Sequence, residues 1–340
     1  MPDSSGKNGK RSMRCHVCPE YCVLRDGEVG PCGIRRAVGG RIRSLSFGGL
    51  ARAWIRPIEA SGFYHVLPGS RALCVSAGEG LPRIHLNAES LEDFSAQPSL
   101  TAPRYPICSS RGLVDQLRPE ECPSLLFTQT EPSYFPEMLD AVFSMARQRG
   151  VVALMQSNGS MSQETIEMLA PVVDAVSLLV PTLRESTSRR LRAVAPHHLR
   201  DVMRYLVERG VWVEVSTVLF PGVNDSEVEL NEIAHSISEV HRSIPWHLRR
   251  ARPNQEAGSA PDVLRWGARL GEEMGLRNVY SCDARPKAHD LTFCHVCGDE
   301  VLIERGLGKV SSFLRDGDRC PRCSTRAHGL FRARGLQIVA

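Results

Sequence analysis

Apolar residues recur through the middle of this chain in two alternating rhythms. Short runs of β-type residues fall at 73–75, 125–128, 151–155, 175–180, 211–219, 246–248 and 278–281. Between several of them the spacing turns helical. Leu139, Val142, Phe143 and Ala146 stand at i, i+3, i+4 and i+7, and Gly150 follows as a stop. Leu199, Val202, Met203 and Leu206 repeat the pattern before Gly210. Leu230, Ile233, Ala234 and Ile237 repeat it again, behind Ser226 and Glu229 in a capping-box arrangement. Continuous apolar strands alternating with amphipathic helices predict a parallel sheet covered by helices. The expected fold class is therefore α/β, a full or partial (β/α) TIM-type barrel, with a doubly wound open sheet as the alternative. In both, ligands sit at the carboxyl ends of the strands.

Polar residues gather at those ends. Thr128-Gln129-Thr130-Glu131-Pro132 follows the second run and Gln156-Ser157-Asn158-Gly159 the third, while His247 lies within the short sixth. Any one of them reads as a turn residue or helix cap; their recurrence at one end of successive strands predicts a shared pocket. The stretch after the first run, SAGEGLPRIHLNAESLEDF at 76–94, leaves its strand at the same end.

Composition narrows the class. The chain has 340 residues, 42% of them hydrophobic, and a formal net charge of +4. No apolar run approaches the ~20 residues that span a bilayer, so no membrane association is expected. The first residues, MPDSSGKNGKRSMR, are polar and basic without an apolar core, which argues against a secretory signal and makes the cytoplasm the expected location. The arginines are scattered rather than gathered with aromatics, and nucleic-acid binding is not indicated.

Cysteine changes the picture more. Twelve cysteines in a chain without a secretory signal favour metal sites over disulfides. Near the C-terminus, Cys294-His-Val-Cys297 and Cys320-Pro-Arg-Cys323 form two C-x2-C knuckles at the separation of a four-thiolate zinc ribbon; iron in the same geometry is the alternative. Near the N-terminus, Cys15, Cys18, Cys22 and Cys32 form a second quartet, compatible with zinc or with a [4Fe–4S] cluster. Cys74, Cys108, Cys122 and Cys282 stand apart. The expected organisation is a disordered tail over 1–13, a four-cysteine module over 14–50, the barrel over 51–288 and a zinc-ribbon-like module over 289–340.

The segments together resemble a known family. CHVCPEYCVLRDGEVGPCGIRRAVGGRI, RPIEASGFYHVLPGS, TQTEPSYF, QSNG, GVWVEVSTVLFPGVNDSEVEL and IPWHLRRARPN are similar to successive segments of the radical SAM proteins of the AmmeMemoRadiSam system, relatives of pyruvate formate-lyase activating enzymes. The resemblance runs over roughly residues 13–331. It implies a radical SAM barrel, S-adenosylmethionine (SAM), and a [4Fe–4S] cluster held by a C-x3-C-x2-C motif after the first strand. It also implies a SAM pocket whose remnant here would be Glu131, Ser157, Asn158, Gly159 and His247.

This chain departs from the family at the decisive motif. Leu81, His85 and Ala88 stand where the three cluster cysteines belong, and only His85 could ligate iron. An acid–lysine pair that helps hold SAM in relatives is replaced near Leu179 and Pro181. The expectation is a pseudoenzyme that binds a protein partner or a small anionic ligand. The alternatives are a non-radical enzyme using the remnant pocket, with Arg249 joining its polar residues, or a radical enzyme with rebuilt cluster ligation through Cys108, Cys282 and His85.

Overall fold

The computed structural model describes residues 12–45, 50, 52–77, 110–115, 117–251, 261–281, 291–298, 300–306 and 309–332. Two small hairpins open the chain. β1 (Ser12–Arg14) pairs with β2 (Val23–Arg25), and β3 (Arg35–Val38) pairs with β4 (Arg41–Ser44), both antiparallel. Ser12 and Met13 are thus already laddered to β2, ahead of the boundary expected for the cysteine module.

The large sheet follows. Its strands are β5 (Arg52–Pro57), β6 (Arg71–Ser76), β7 (Ser124–Phe127), β8 (Val152–Ser157), β9 (Ala175–Leu179), β10 (Trp212–Leu219), β11 (Trp246–Arg250) and β12 (Val279–Ser281), in sequence order across the sheet. β5 runs antiparallel to β6, and every later neighbour is parallel. All seven runs expected from apolar patterning are strands of this sheet. Among the described residues the ladders run from edge to edge and close no barrel.

The helices are α1 (Ser110–Asp115), α2 (Pro136–Gln148), α3 (Gln163–Leu169), α4 (Glu185–Leu191), α5 (Pro196–Glu208), α6 (Glu227–Val240) and α7 (Pro261–Glu273). Alternate strand residues, among them Leu125, Phe127, Ala153, Met155, Val213 and Val215, share one continuous core with Phe143, Ile166, Leu199, Ile233 and Leu264 of the helices. Strand parity alternates with period two, so the other face carries the complementary set. Among the described residues that face is not covered by a second helix layer, as a doubly wound sheet requires. It is covered by residues 58–67: Ile58, Phe63, Val66 and Leu67 pack on Ala72, Cys74, Leu126, Leu154 and Ala175.

Gly62 shows how closely this inward segment approaches the sheet. Its φ is +77°, and a Cβ there would lie 2.7 Å from Ser177 Oγ and 3.2 Å from Ser216 Oγ. Only glycine meets both demands. The C-terminal ribbon, β13 (Leu291–Phe293), β14 (Val301–Gly306) and β15 (Lys309–Ser312), is an antiparallel sheet of its own. The strap that follows it runs alongside the inward segment: Leu67 N donates to Leu330 O at 2.8 Å, and Leu330 N to His65 O at 2.8 Å.

A Gly62→Ala substitution combines a left-handed backbone with a buried clash. It is expected to destabilise the fold by roughly 2 kcal/mol, read as a lower urea midpoint. An unchanged midpoint would contradict the close packing of this segment.

Candidate functional site

Four clusters carry the chemistry. The first lies at the carboxyl ends of β7 and β8. Glu131, fully buried, accepts from Ser157 Oγ at 2.8 Å, Asn158 N at 2.8 Å and Ser133 N at 3.2 Å. Burial raises its pKa above the usual carboxylate range, although these donors oppose the shift. Ser157 Oγ also accepts from Gly159 N at 2.9 Å, and Asn158 Oδ1 accepts from Ser160 N at 2.9 Å. Gln156 Nε2 reaches the carbonyl of Ser61 at 2.6 Å, and Thr128 donates to its Oε1. The structure therefore brings Glu131, Ser157, Asn158 and Gly159 together as expected, but their polar groups are largely engaged with one another.

His247 belongs to a different cluster, in the body of the sheet. Its Nε2 lies 2.7 Å from Glu214 Oε2, both side chains being fully buried. Glu214 also accepts the N–H groups of Tyr64 and His65 at 2.8 and 2.9 Å, and the indole N–H of Trp212 at 3.2 Å. Burial resists ionisation of Glu214, but the His247 hydrogen bond, with further pull from the Tyr64 N–H, outweighs it and holds its pKa below the usual range.

A proton-ordered chain continues outward from His65. His65 Nδ1 faces the carbonyl of His328 at 2.7 Å and must donate to it, so Nε2 accepts from Tyr280 Oη at 2.7 Å. Tyr280 Oη then accepts from Thr292 Oγ1 at 2.7 Å, which in turn accepts from Arg305 Nη1 at 2.9 Å. Arg305, on the ribbon, also donates to Tyr64 O at 2.5 Å and stacks over the Tyr64 ring at 4.4 Å. Glu214, Tyr280 and Arg305 were absent from the sequence reading. A lone glutamate inside the apolar run at 211–219 was the available signal for the first.

Beside Glu131, an apolar group lies at the ends of β9 and β10. Leu179, Val218, Phe220 and Ala251 close over the ends of β9 to β11 with Leu191 of α4, each at most 4% exposed. Asn224, also fully buried, fastens this corner by donating to Pro181 O at 2.7 Å and Val218 O at 2.8 Å. Glu229, expected to close a capping box on α6, instead accepts the hydroxyls of Thr182 and Thr187, each at 2.5 Å, because the corner packs directly against it. The Ser226 cap of that helix is present.

The C-terminal quartet is assembled. The sulfur atoms of Cys294 and Cys323, Cys297 and Cys320, and Cys297 and Cys323 are each 3.6 Å apart, and all four lie within 4.8 Å of one another. Four thiolates at 2.3 Å around a tetrahedral ion would stand about 3.8 Å apart. The two knuckles match in backbone, with Gly298 (φ +77°) and Ser324 (φ +60°) each turning left-handed just after the second cysteine. The donor set and its geometry fit one tetrahedral metal ion.

The N-terminal quartet docks on α3. Thr165 Oγ1 and Ser162 N donate to Val17 O at 2.8 and 3.3 Å, and Tyr21 Oη donates to Glu164 at 2.9 Å. Cys15 and Cys18 are buried, and desolvation pushes the Cys18 thiol up to about 11. Of the isolated cysteines, Cys74 is buried on the inward face of β6, and buried Cys122 precedes β7. Leu81, His85, Ala88, Cys108 and Cys282 lie outside the described residues.

Residues 111–232 match the family model of the Radical SAM superfamily. An uncharacterized protein of Methanocaldococcus jannaschii is 26% identical over 322 residues, covering 92% of this chain and 94% of its own. A domain of a pyruvate-formate lyase-activating enzyme from Bacteroides vulgatus aligns over 46% of this chain and 98% of its own at 16% identity and a TM-score of 0.41. A radical SAM methyltransferase from Sphaerobacter thermophilus aligns over 69% of this chain and 70% of its own at 15% identity and a TM-score of 0.45. Among the described residues, no helix is long and apolar enough to cross a membrane.

Two outcomes follow for this site. The C-terminal quartet should hold one tightly bound metal ion, and Cys320→Ser or Cys294→Ser should lower the metal content of the purified protein by that one ion, counted by mass spectrometry of the metal. The second concerns His65, whose pKa burial lowers to about 4 from 6.5. The neutral ring is favoured in the folded state, so its contribution is present above pH 6.5 and is lost as pH falls toward 4, by up to about 3 kcal/mol. Thermal unfolding of the wild type should fall over that window, and His65→Gln should fall less steeply. Parallel curves would refute the assignment.

Proposed function

We propose that this chain is a radical-SAM-type scaffold that does not perform radical chemistry and serves instead as a ligand- or partner-binding protein. One observation carries the reading: where three thiolates must hold the catalytic cluster, the residues are Leu81, His85 and Ala88. A leucine and an alanine offer iron no donor atom, and a single imidazole cannot retain a cube that needs three protein ligands.

Three features support it. The superfamily match begins at residue 111, past these positions. The strand ends near Leu179 and Pro181 are closed by the apolar group of Val218, Phe220, Ala251 and Leu191. The remnant polar residues around Glu131 are bonded to one another. The sheet is the partial barrel of this superfamily and the AmmeMemoRadiSam system its setting, a reading that the similarity of TQTEPSYF, QSNG and IPWHLRRARPN to that family supports. An intracellular role is part of the same reading.

After anaerobic reconstitution with iron and sulfide and reduction in the presence of SAM, the protein should release no 5′-deoxyadenosine above a protein-free control. Turnover to 5′-deoxyadenosine would overturn the proposal. Calorimetric titration with SAM in the absence of reductant separates the non-radical alternative, which requires binding.

A further inference from the structure

The two cysteine quartets differ in spacing. In the C-terminal quartet all four sulfurs fall within 4.8 Å of one another, as a single ion demands. In the N-terminal quartet no three of the thiols meet that limit among the described residues. Yet the four are neighbours. Each of the six pairs among Cys15, Cys18, Cys22 and Cys32 interacts electrostatically. The loop is folded back on itself to bring them there: Cys15 N donates to Cys22 O at 2.8 Å and Tyr21 N to Cys18 O at 3.1 Å. Tyr21 is held at φ +42°, a conformation uncommon for a tyrosine, which turns the chain so that Cys22 returns toward Cys15. A lone tetrahedral ion would leave four thiolates about 3.8 Å apart. A four-iron cube places an iron and a sulfide framework between them and holds its thiolates farther apart.

A second observation points to a ligand with sulfur acceptors. Arg35, 1% exposed, forms a two-pronged pair with Glu137 through Nη1 and Nη2, each at 2.8 Å. Its Nε, on the remaining edge of the guanidinium, is buried and has no hydrogen-bond partner among the described residues. The Arg35 charge acts on the Cys15 thiol. A buried N–H left unmade costs free energy, and an anionic iron–sulfur centre beside it supplies acceptors.

We propose that the N-terminal quartet binds a [4Fe–4S] cluster through Cys15, Cys18, Cys22 and Cys32, with Arg35 beside it as charge partner and N–H donor, while the C-terminal quartet binds one mononuclear ion. These four ligands are different residues from those at 81, 85 and 88, and the inference does not depend on what those positions hold.

The test uses the full chain purified anaerobically, with iron, zinc and acid-labile sulfide counted per chain. Labile sulfide decides between the alternatives, because mononuclear zinc or iron carries none. The expected result is about four iron and four sulfide per chain, all lost in Cys18→Ser and in Cys32→Ser and both retained in Cys320→Ser. Reduced wild type should give the paramagnetic signal of a [4Fe–4S]⁺ centre, a reading that needs no variant to fold. Zinc without sulfide in the wild type overturns the proposal, and so does sulfide that survives in well-folded Cys18→Ser and Cys32→Ser. Twice the expected iron and sulfide, halved by the N-terminal variants, upholds this site and instead defeats the reading of the protein as lacking a catalytic cluster.

Discussion

The architecture turns on one buried carboxylate. Glu214 sits in the middle of the parallel sheet, where an unpaired charge would cost several kcal/mol. It is tolerated because its oxygens accept from Tyr64 N, His65 N, Trp212 and His247. Two of these donors belong to the backbone of the inward segment. The carboxylate therefore does more than satisfy itself: it dictates where residues 58–67 lie, and with them Gly62 over Ser177 and Ser216. Without Glu214, two amide groups facing a sheet of apolar and hydroxyl side chains would lose their acceptor.

With the inward face covered by the chain itself, the strand ends become the available surface of the sheet, and there the chemistry is uneven. At β7 and β8, Glu131 draws Ser157, Asn158 and Ser133 into a closed set. At β9 to β11, leucine, valine and phenylalanine take over. A carboxylate already saturated by local donors holds shape, and the apolar corner is held by packing instead.

How much of this the sequence disclosed depended on whether a local pattern carried the information. The seven strand runs and three long helices were legible because burial on a parallel sheet leaves unbroken apolar stretches and a 3.6-residue period. The C-terminal quartet was legible because two C-x2-C turns carry their own geometry. The grouping of Glu131 with Ser157 and Asn158 followed from their shared position after successive strands. The inward segment was not legible: YHVLPGS has no periodicity that says it lies under a sheet, and its place is set by Glu214, some 150 residues away. His247 was assigned to the pocket rim by its strand, but its ring is spent on Glu214, because position within a strand does not say which polar partner lies across the ladder. Glu229 likewise matched a capping box in spacing, whereas two threonines from another loop compete for its oxygens.

The ribbon is tied into the rest of the molecule through buried side chains. Its own buried core is small, chiefly Leu302, Ile303 and Ala327 around Cys294 and Cys320, too little to hold three short strands without a metal. Yet it projects Arg305, only 6% exposed, into the molecule. A guanidinium buried that deeply is stable only where its partners are fixed, and those partners are Thr292, the Tyr64 carbonyl and the Tyr64 ring. Tyr64 is itself fixed by Glu214. The metal-closing knuckles join the same network by another route: His295, between the first pair of cysteines, stacks on His328 at 4.0 Å, and the carbonyl of His328 orients His65. The thiol quartet of the ribbon and the carboxylate in the sheet are thus two anchors of one connected span. Loosening either would leave buried polar groups of the other without partners, which couples metal retention to the integrity of the sheet's inward face.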